Sequence, residues 1–183
     1  MLKKQLLSLL MAGSLFFSFG QSAWASDFFS VGVSVPTAVK ADDADIKSVS
    51  GAMAYVKLPF LVGIGQEMYN FKVKSGTDDI QYDVGLTDLF YQLPIPIVNI
   101  TFGIGVGTVT LKGDYEDYYE PATATQTFLR FGIPFGMFDI HVSRHNVKST
   151  LKGKTVTIGS TSYTSEDTDT NFGTTAVGLS FGF

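Results

Sequence analysis

The chain has 183 residues, 45% of them hydrophobic, with 16 Phe, 8 Tyr, 19 Gly and no Cys. The lack of cysteine excludes disulfides, thiol chemistry and a lipid-modified cysteine anchor. Acids outnumber bases by 17 to 13, which argues against nucleic-acid and polyanion binding, since these need a basic surface.

The N-terminus carries Lys3 and Lys4, then an apolar run from Leu6 to Phe19, then Ala23-Trp24-Ala25. A positive start, a short apolar stretch and a small-x-small site predict a secretory signal peptide over 1–25, cleaved before Ser26. The run is shorter than the ~20 residues a spanning helix needs. Removing it leaves one domain, 26–183, with 11 Lys and Arg against 17 acids and a formal charge of −6. That charge permits divalent cations as partners.

Eight segments with a period of two follow, the signature of strands with distinct faces. Phe29, Val31, Val33 and Val35 alternate with Ser30, Gly32 and Ser34. Val49, Met53 and Tyr55 oppose Ser50, Ala52 and Ala54. From Leu61 to Val73 the parity changes: Val62, Ile64 and Met68 share one face and Tyr69, Phe71 and Val73 the other, which predicts a bulge. Ile80, Tyr82, Val84 and Leu86 stand against Gln81, Asp83, Gly85 and Thr87. Ile100, Phe102, Ile104 and Val106 interleave with Thr101, Gly103, Gly105 and Gly107. Leu129, Phe131 and Ile133 then oppose Gln126, Phe128, Arg130 and Gly132, and Phe138, Ile140 and Val142 oppose Asp139, His141 and Ser143. The last segment, from Thr175, puts Val177, Leu179, Phe181 and Phe183 opposite Gly178, Ser180 and Gly182.

The connections alternate in kind. Leu58-Pro59-Phe60, Leu93 to Ile97 and Pro134 to Met137 are short and Pro-containing, as tight turns should be. Thr37 to Lys47, Lys74 to Asp79, Gly113 to Ala122 and Asn146 to Asp169 are longer and hold 12 of the 17 acids. Three turns and four loops join eight strands with both ends on the turn side. Large apolar residues face one way while the other face is mostly Gly, Ala, Ser and Thr. Lipid outside a closed barrel suits that polarity better than a soluble core does, and closure leaves no unpaired edge in hydrocarbon. Tyr55, Phe60, Phe90, Tyr91, Phe135 and Phe138 near the turns predict an aromatic girdle there. The fold class is therefore an all-β, eight-stranded, antiparallel up-and-down transmembrane barrel.

The final strand, Val177, Leu179, Phe181 and terminal Phe183, resembles the C-terminal assembly signal of bacterial outer-membrane barrels. With the eight alternating segments, the whole of 26–183 resembles the small eight-stranded outer membrane protein β-barrel domain family, the OmpA/OmpX-like barrels. The resemblance implies an integral outer-membrane protein with periplasmic termini, surrounded by lipid and lipopolysaccharide and inserted by the barrel assembly machinery. It implies no substrate and no cofactor.

Parity turns Glu67, Asp83, Arg130, Asp139 and His141 inward, where an internal polar network would fill a barrel too narrow for an open pore. His141-Val-Ser143 places a base and a hydroxyl at i and i+2 on one face. It is similar to the His-x-Ser-Asn motif of the outer-membrane lipid A deacylases, but Arg144 stands at the Asn position and Gly173 near the position of that family's acid. Asp114, Tyr115, Glu116, Asp117, Tyr118 and Tyr119 offer a loop for a partner or for divalent cations. Asp42, Asp43, Asp45, Asp78, Asp79, Glu120, Glu166, Asp167 and Asp169 add acids to the loops. The run from Asp167 to Asn171 is not a calcium loop, because Phe172 and Gly178 occupy positions that need Gly and Glu. The expectation is a non-catalytic barrel with a structural or surface-interaction role and no resident metal. Two alternatives stand beside it: a deacylase-like hydrolase using His141 and Ser143, and a narrow small-solute channel.

Overall fold

The structure is a computed structural model and describes residues 29–183 apart from 42, 43, 76, 77, 94 and 96. The predicted signal peptide and Asp42 and Asp43 lie outside the described residues, as do the side chains of Asp78 and Asp114. Eight long strands run in chain order: β1 (Ser30–Ala41), β2 (Asp45–Lys57), β3 (Val62–Ser75), β4 (Asp78–Gln92), β5 (Asn99–Lys112), β6 (Ala122–Phe135), β7 (Phe138–Gly153) and β8 (Thr168–Gly182). Each pairs antiparallel with its neighbours in sequence, and β8 pairs with β1, so the sheet closes on itself. At the seam Phe29 and Phe183 exchange backbone hydrogen bonds of 3.0 and 2.9 Å.

The strands are 12 to 16 residues long, more than the ~9–11 that cross a bilayer. The extra length lies at the loop end, so the first two predicted loops are largely strand. At the other end the turns are tight. β6 and β7 are joined through Gly136, whose φ of 64° suits a residue without a Cβ. The 3-10 turn Pro59–Leu61 carries Phe60, the most exposed large apolar side chain among the described residues, outward at the rim.

Large apolar side chains cover the outer face nearest the turns. Val31, Val33, Ile64, Leu89, Phe102, Ile104, Phe131, Ile140 and Leu179 all point out. A band of this kind has no soluble solvent to justify it, and hydrocarbon is the medium that suits it.

Two expectations about the strands fail. In β2 it is Met53 and Tyr55 that face the lumen, and Ala52 and Ala54 that face out. In β4 the lumen takes Val84, Leu86, Asp88 and Phe90, so Tyr55 and Phe90 do not belong to the girdle, whereas Tyr91, Phe135 and Phe138 are outward. The bulge expected in β3 is also absent. Its register with β4 runs unbroken from Val62↔Tyr91 to Ser75↔Asp78. The irregularity lies across the pair, in β2 between Ile46 and Ser48. The parity change in β3 comes from its surroundings: Ile64 and Met68 meet lipid, while Tyr69 and Phe71 fill the lumen higher up.

Candidate functional site

The lumen has two storeys. Toward the loops it is closed by Met53, Tyr69, Phe71, Val84, Leu86, Val109, Ala124, Val147, Phe172 and Ala176 packed together, with Phe71 and Leu86 essentially inaccessible. Phe71 stacks on Tyr82 at 4.9 Å with the planes 2° apart, and Phe172 lies 4.8 Å from Phe71 on another side. Above this plug, Leu111, Ala122 and Leu151 form a second layer, with Ile80, Tyr82, Tyr115 and Tyr119 packed on it. Two apolar layers stand between the loops and the polar storey below.

That polar storey is centred on Arg130. Its guanidinium lies 3.8 Å above the Tyr55 ring and 5.6 and 5.5 Å from the Phe90 and Phe128 ring centres. A desolvated guanidinium gains about 2 kcal/mol from such a face, because the ring quadrupole is negative there. The rings are available because the strand beside each contributes a glycine: Gly32 pairs with Tyr55, Gly63 with Phe90 and Gly103 with Phe128. At each of these positions an added Cβ would collide with the facing ring.

Two histidines flank the cage, each between a hydroxyl and a carboxylate. His141 has Ser34 Oγ 2.9 Å from Nε2 and Asp139 Oδ1 3.1 Å from Nδ1, with the Tyr55 hydroxyl 3.2 Å away. Asp139 also accepts from the Asn99 side-chain amide at 2.6 Å. His145 has Ser143 Oγ 2.7 Å from Nε2 and Glu67 Oε1 2.9 Å from Nδ1. The second contact is close in distance but not directed, which leaves Nδ1 without an aligned partner, and Glu67 Oε2, the other carboxylate oxygen, has none either. Gln126 donates to Asp88 at 2.8 Å and leaves its own oxygen free. Phe128 stacks on His145 at 4.9 Å. Each serine–histidine–carboxylate line resembles a nucleophile relay in its order of groups. All the same, Ser143, His145, Glu67, His141 and Ser34 are buried, with no face open to substrate.

Glu67, Arg130, Asp139 and His141 therefore share the lumen, whereas Asp83 does not join them. It sits on the outer parity of β4 and accepts from Gln81 on the same strand at 2.8 Å. His141 and Ser143 do not pair with each other: His141 is taken up by Ser34 and Asp139, and Ser143 by His145. Sequence reasoning missed Ser34, Tyr55, Asp88, Gln126, Phe128 as part of the cage, and His145. The available signal was the run Asp139-x-His141-x-Ser143-x-His145, four polar residues at a period of two on one strand.

The loops are organised. Residues Gly113–Tyr118 form a 3-10 turn, after which Tyr119–Glu120 pairs with Gly153 and Lys152 of β7. Tyr115 and Tyr119 are thus half-buried on the barrel mouth, while Glu116 and Asp117 are exposed. Thr155–Ile158 and Thr161–Thr164 make a hairpin, and its base is tied by Asp167, which accepts from Lys152 Nζ at 2.6 Å and from the Gly153 amide at 3.1 Å. The Lys152 hydrogen bond, then the Gly153 amide, hold the Asp167 carboxyl below its ordinary range. The tie is therefore present above the unfolded carboxyl's pKa of ~3.9 and is lost only as pH falls through the lower folded value. Glu116 pairs instead with Lys112, at 2.5 Å, and Asp79 with Lys47, at 2.6 Å. Among the described residues no cluster of His, Asp and Glu has the arrangement of a metal site.

No protein-family model matches the chain, and no curated protein matches it significantly. Among solved structures it is similar to Neisserial surface protein A, with 8% identity, a TM-score of 0.53, and coverage of 85% of this chain and 96% of that one. The outer membrane protein OprG from Pseudomonas aeruginosa aligns with 14% identity, a TM-score of 0.47, and coverage of 86% and 96%. At these identities the likeness concerns the fold. The chain has the fold of the small outer-membrane barrels: a closed, antiparallel, eight-stranded up-and-down β-barrel.

Proposed function

We propose that the chain is a non-conducting, non-catalytic integral outer-membrane barrel, its lumen a sealed core and its working surface the loop end. The observation that carries this reading is the plug. A solute pathway needs a continuous polar or open route, and here Phe71, Leu86, Val109, Val147 and Phe172 fill the lumen between the polar storey and the loops. The outward apolar band and the fold shared with Neisserial surface protein A support the outer-membrane location. Periplasmic termini follow from that placement, because the turns are short and the loops long. The burial of His141 and Ser143 argues against hydrolysis by either, since a relay without access to an ester has nothing to attack.

The test is electrical. Reconstituted in a planar bilayer, the protein is expected to give no steps above the baseline, while a known porin in the same membrane conducts. Reproducible single-channel steps that scale with protein incorporation would overturn the sealed-lumen reading. As a positive arm, Phe71→Ala with Leu86→Ala removes the two largest fully buried plug side chains, and it is expected to produce leak currents where the wild type has none.

A further inference from the structure

Arg144 and Gly173 are the two positions where the chain departs from the deacylase pattern, and the structure brings them together on the outside of the barrel. β7 presents Val142, Arg144, Asn146 and Lys148 outward, and β8 presents Val177, Thr175, Gly173 and Asn171 opposite them. Arg144 Nη1 donates to Thr175 Oγ1 at 3.0 Å, and its guanidinium lies over Gly173, where a Cβ would collide with it. On the other side of Gly173 the register places Lys40 of β1, and Lys148 stands opposite Asn171. Three cations on the two strands that flank β8 thus surround one glycine gap, and all three are exposed.

Their height matters. Val142, next below Arg144 on β7, belongs to the apolar band, and on the neighbouring strands the band ends at Val177, below Thr175, and at Val35, below Thr37 and Ala38. Lys47, Lys112 and Lys152 are each held by an acid, but none of the ion pairs among the described residues involves Lys40, Arg144 or Lys148. The next acid on β8, Asp169, sits two residues above Asn171 and accepts from Thr150 at 2.7 Å. Cations without acid partners at the upper edge of a hydrocarbon-facing band lie where lipid phosphates lie, and each is worth severalfold in attraction to an anionic headgroup.

We infer that Lys40, Arg144 and Lys148 form a binding site for the phosphate of a membrane lipid headgroup in the leaflet on the loop side. Gly173 leaves the space and Thr175 holds the guanidinium in place. The inference rests on the membrane reading given above, and it adds a specific position and ligand chemistry to it.

The test uses the barrel in phosphatidylcholine nanodiscs, titrated with phosphatidylglycerol and read by native mass spectrometry. Incorporation is scored first. A wild type that does not incorporate overturns the membrane reading and this site with it. In incorporated protein, Lys40→Gln/Arg144→Gln/Lys148→Gln is expected to weaken phosphatidylglycerol binding about a hundredfold, roughly fivefold per cation. The charge-matched Lys47→Gln/Lys112→Gln/Lys152→Gln is expected to bind as the wild type does. If the first triple variant does not fold, by its heat-dependent gel mobility, Lys40→Gln/Lys148→Gln leaves Arg144 in place and is expected to lose about twenty-five-fold. Equal binding by the site variant and its charge-matched control overturns the site. So does displacement of phosphatidylglycerol by millimolar inorganic phosphate, which would show an anion site indifferent to the lipid.

Discussion

Arg130→Ala is expected to lower stability by about 3–5 kcal/mol, read as the urea midpoint of unfolding in detergent or vesicles. The residue is buried, its guanidinium is shared by three rings, and Glu67, Asp88 and Asp139 occupy the same storey. Truncation removes the cage's occupant, opens a cavity between Tyr55, Phe90 and Phe128, and leaves buried carboxylates with less positive charge near them. Arg130→Lys keeps the charge but not the flat stacking, so it should recover only part of the loss. Arg130→Met fills the volume without charge and separates packing from electrostatics. An Arg130→Ala midpoint equivalent to a loss under 1 kcal/mol would mean that the cage is incidental. Lys152→Ala, whose partner Asp167 is exposed, provides the contrast, with a midpoint close to that of the wild type.

The second large effect concerns the glycines. Gly32→Leu is expected to block folding or cost at least ~1–3 kcal/mol, because any side chain there meets the Tyr55 ring. The informative variant is the exchange, Gly32→Leu with Tyr55→Gly. It moves the bulk from one member of the pair to the other and should recover assembly relative to the single change. It should still fall short of the wild type, because Tyr55 also contacts Arg130 and His141. Coupling between the two changes of ~0.5–3 kcal/mol in a double-mutant cycle would establish the complementarity. Simple addition of the two losses would refute it.

Legibility in the sequence was uneven for a physical reason. β5 and the lower part of β8 could be read because their lumen face is nearly all Gly, Ser or Thr where their outer face meets lipid. β3 and β4 could not be read with one rule, since each face changes surroundings along the strand. Ile64 and Leu89 are apolar toward lipid near the turns, whereas Phe71, Val84 and Leu86 are apolar toward the plug near the loops. Outside, lipid gives way to water as the strands rise. Inside, the polar storey gives way to the apolar one. A period-two pattern assumes one environment for each face, and here the apolar parity crosses over in mid-strand. β2 misled differently, because Ala52 and Ala54 look like lumen residues yet face out while Met53 and Tyr55 fill the interior.

The site followed the same logic. Glu67, Arg130, Asp139 and His141 could be placed inside because charge in a lipid-facing band is costly. Asp83 escaped that rule because it lies high on β4, beside Gln81 and near Lys112 in the next strand, beyond the band. Nothing in the spacing could reveal that His141 would take Ser34, 107 residues away, in preference to Ser143. Partners across a closed barrel depend on register, and register depends on every strand between them.

The pairing of Gly32 with Tyr55, Gly63 with Phe90 and Gly103 with Phe128 has a kinetic side. Each pair lies between strands joined directly in sequence, β1 with β2, β3 with β4 and β5 with β6, so each hairpin carries both halves of its own contact. Each such contact closes a far shorter stretch of chain than the seam between β1 and β8 does, so it costs less entropy to form. Among the pairings of the eight long strands described, only the seam between β1 and β8 joins distant parts of the chain. The slow, late event in assembly is therefore the meeting of the first strand with the last, Val33 with Leu179 and Phe29 with Phe183.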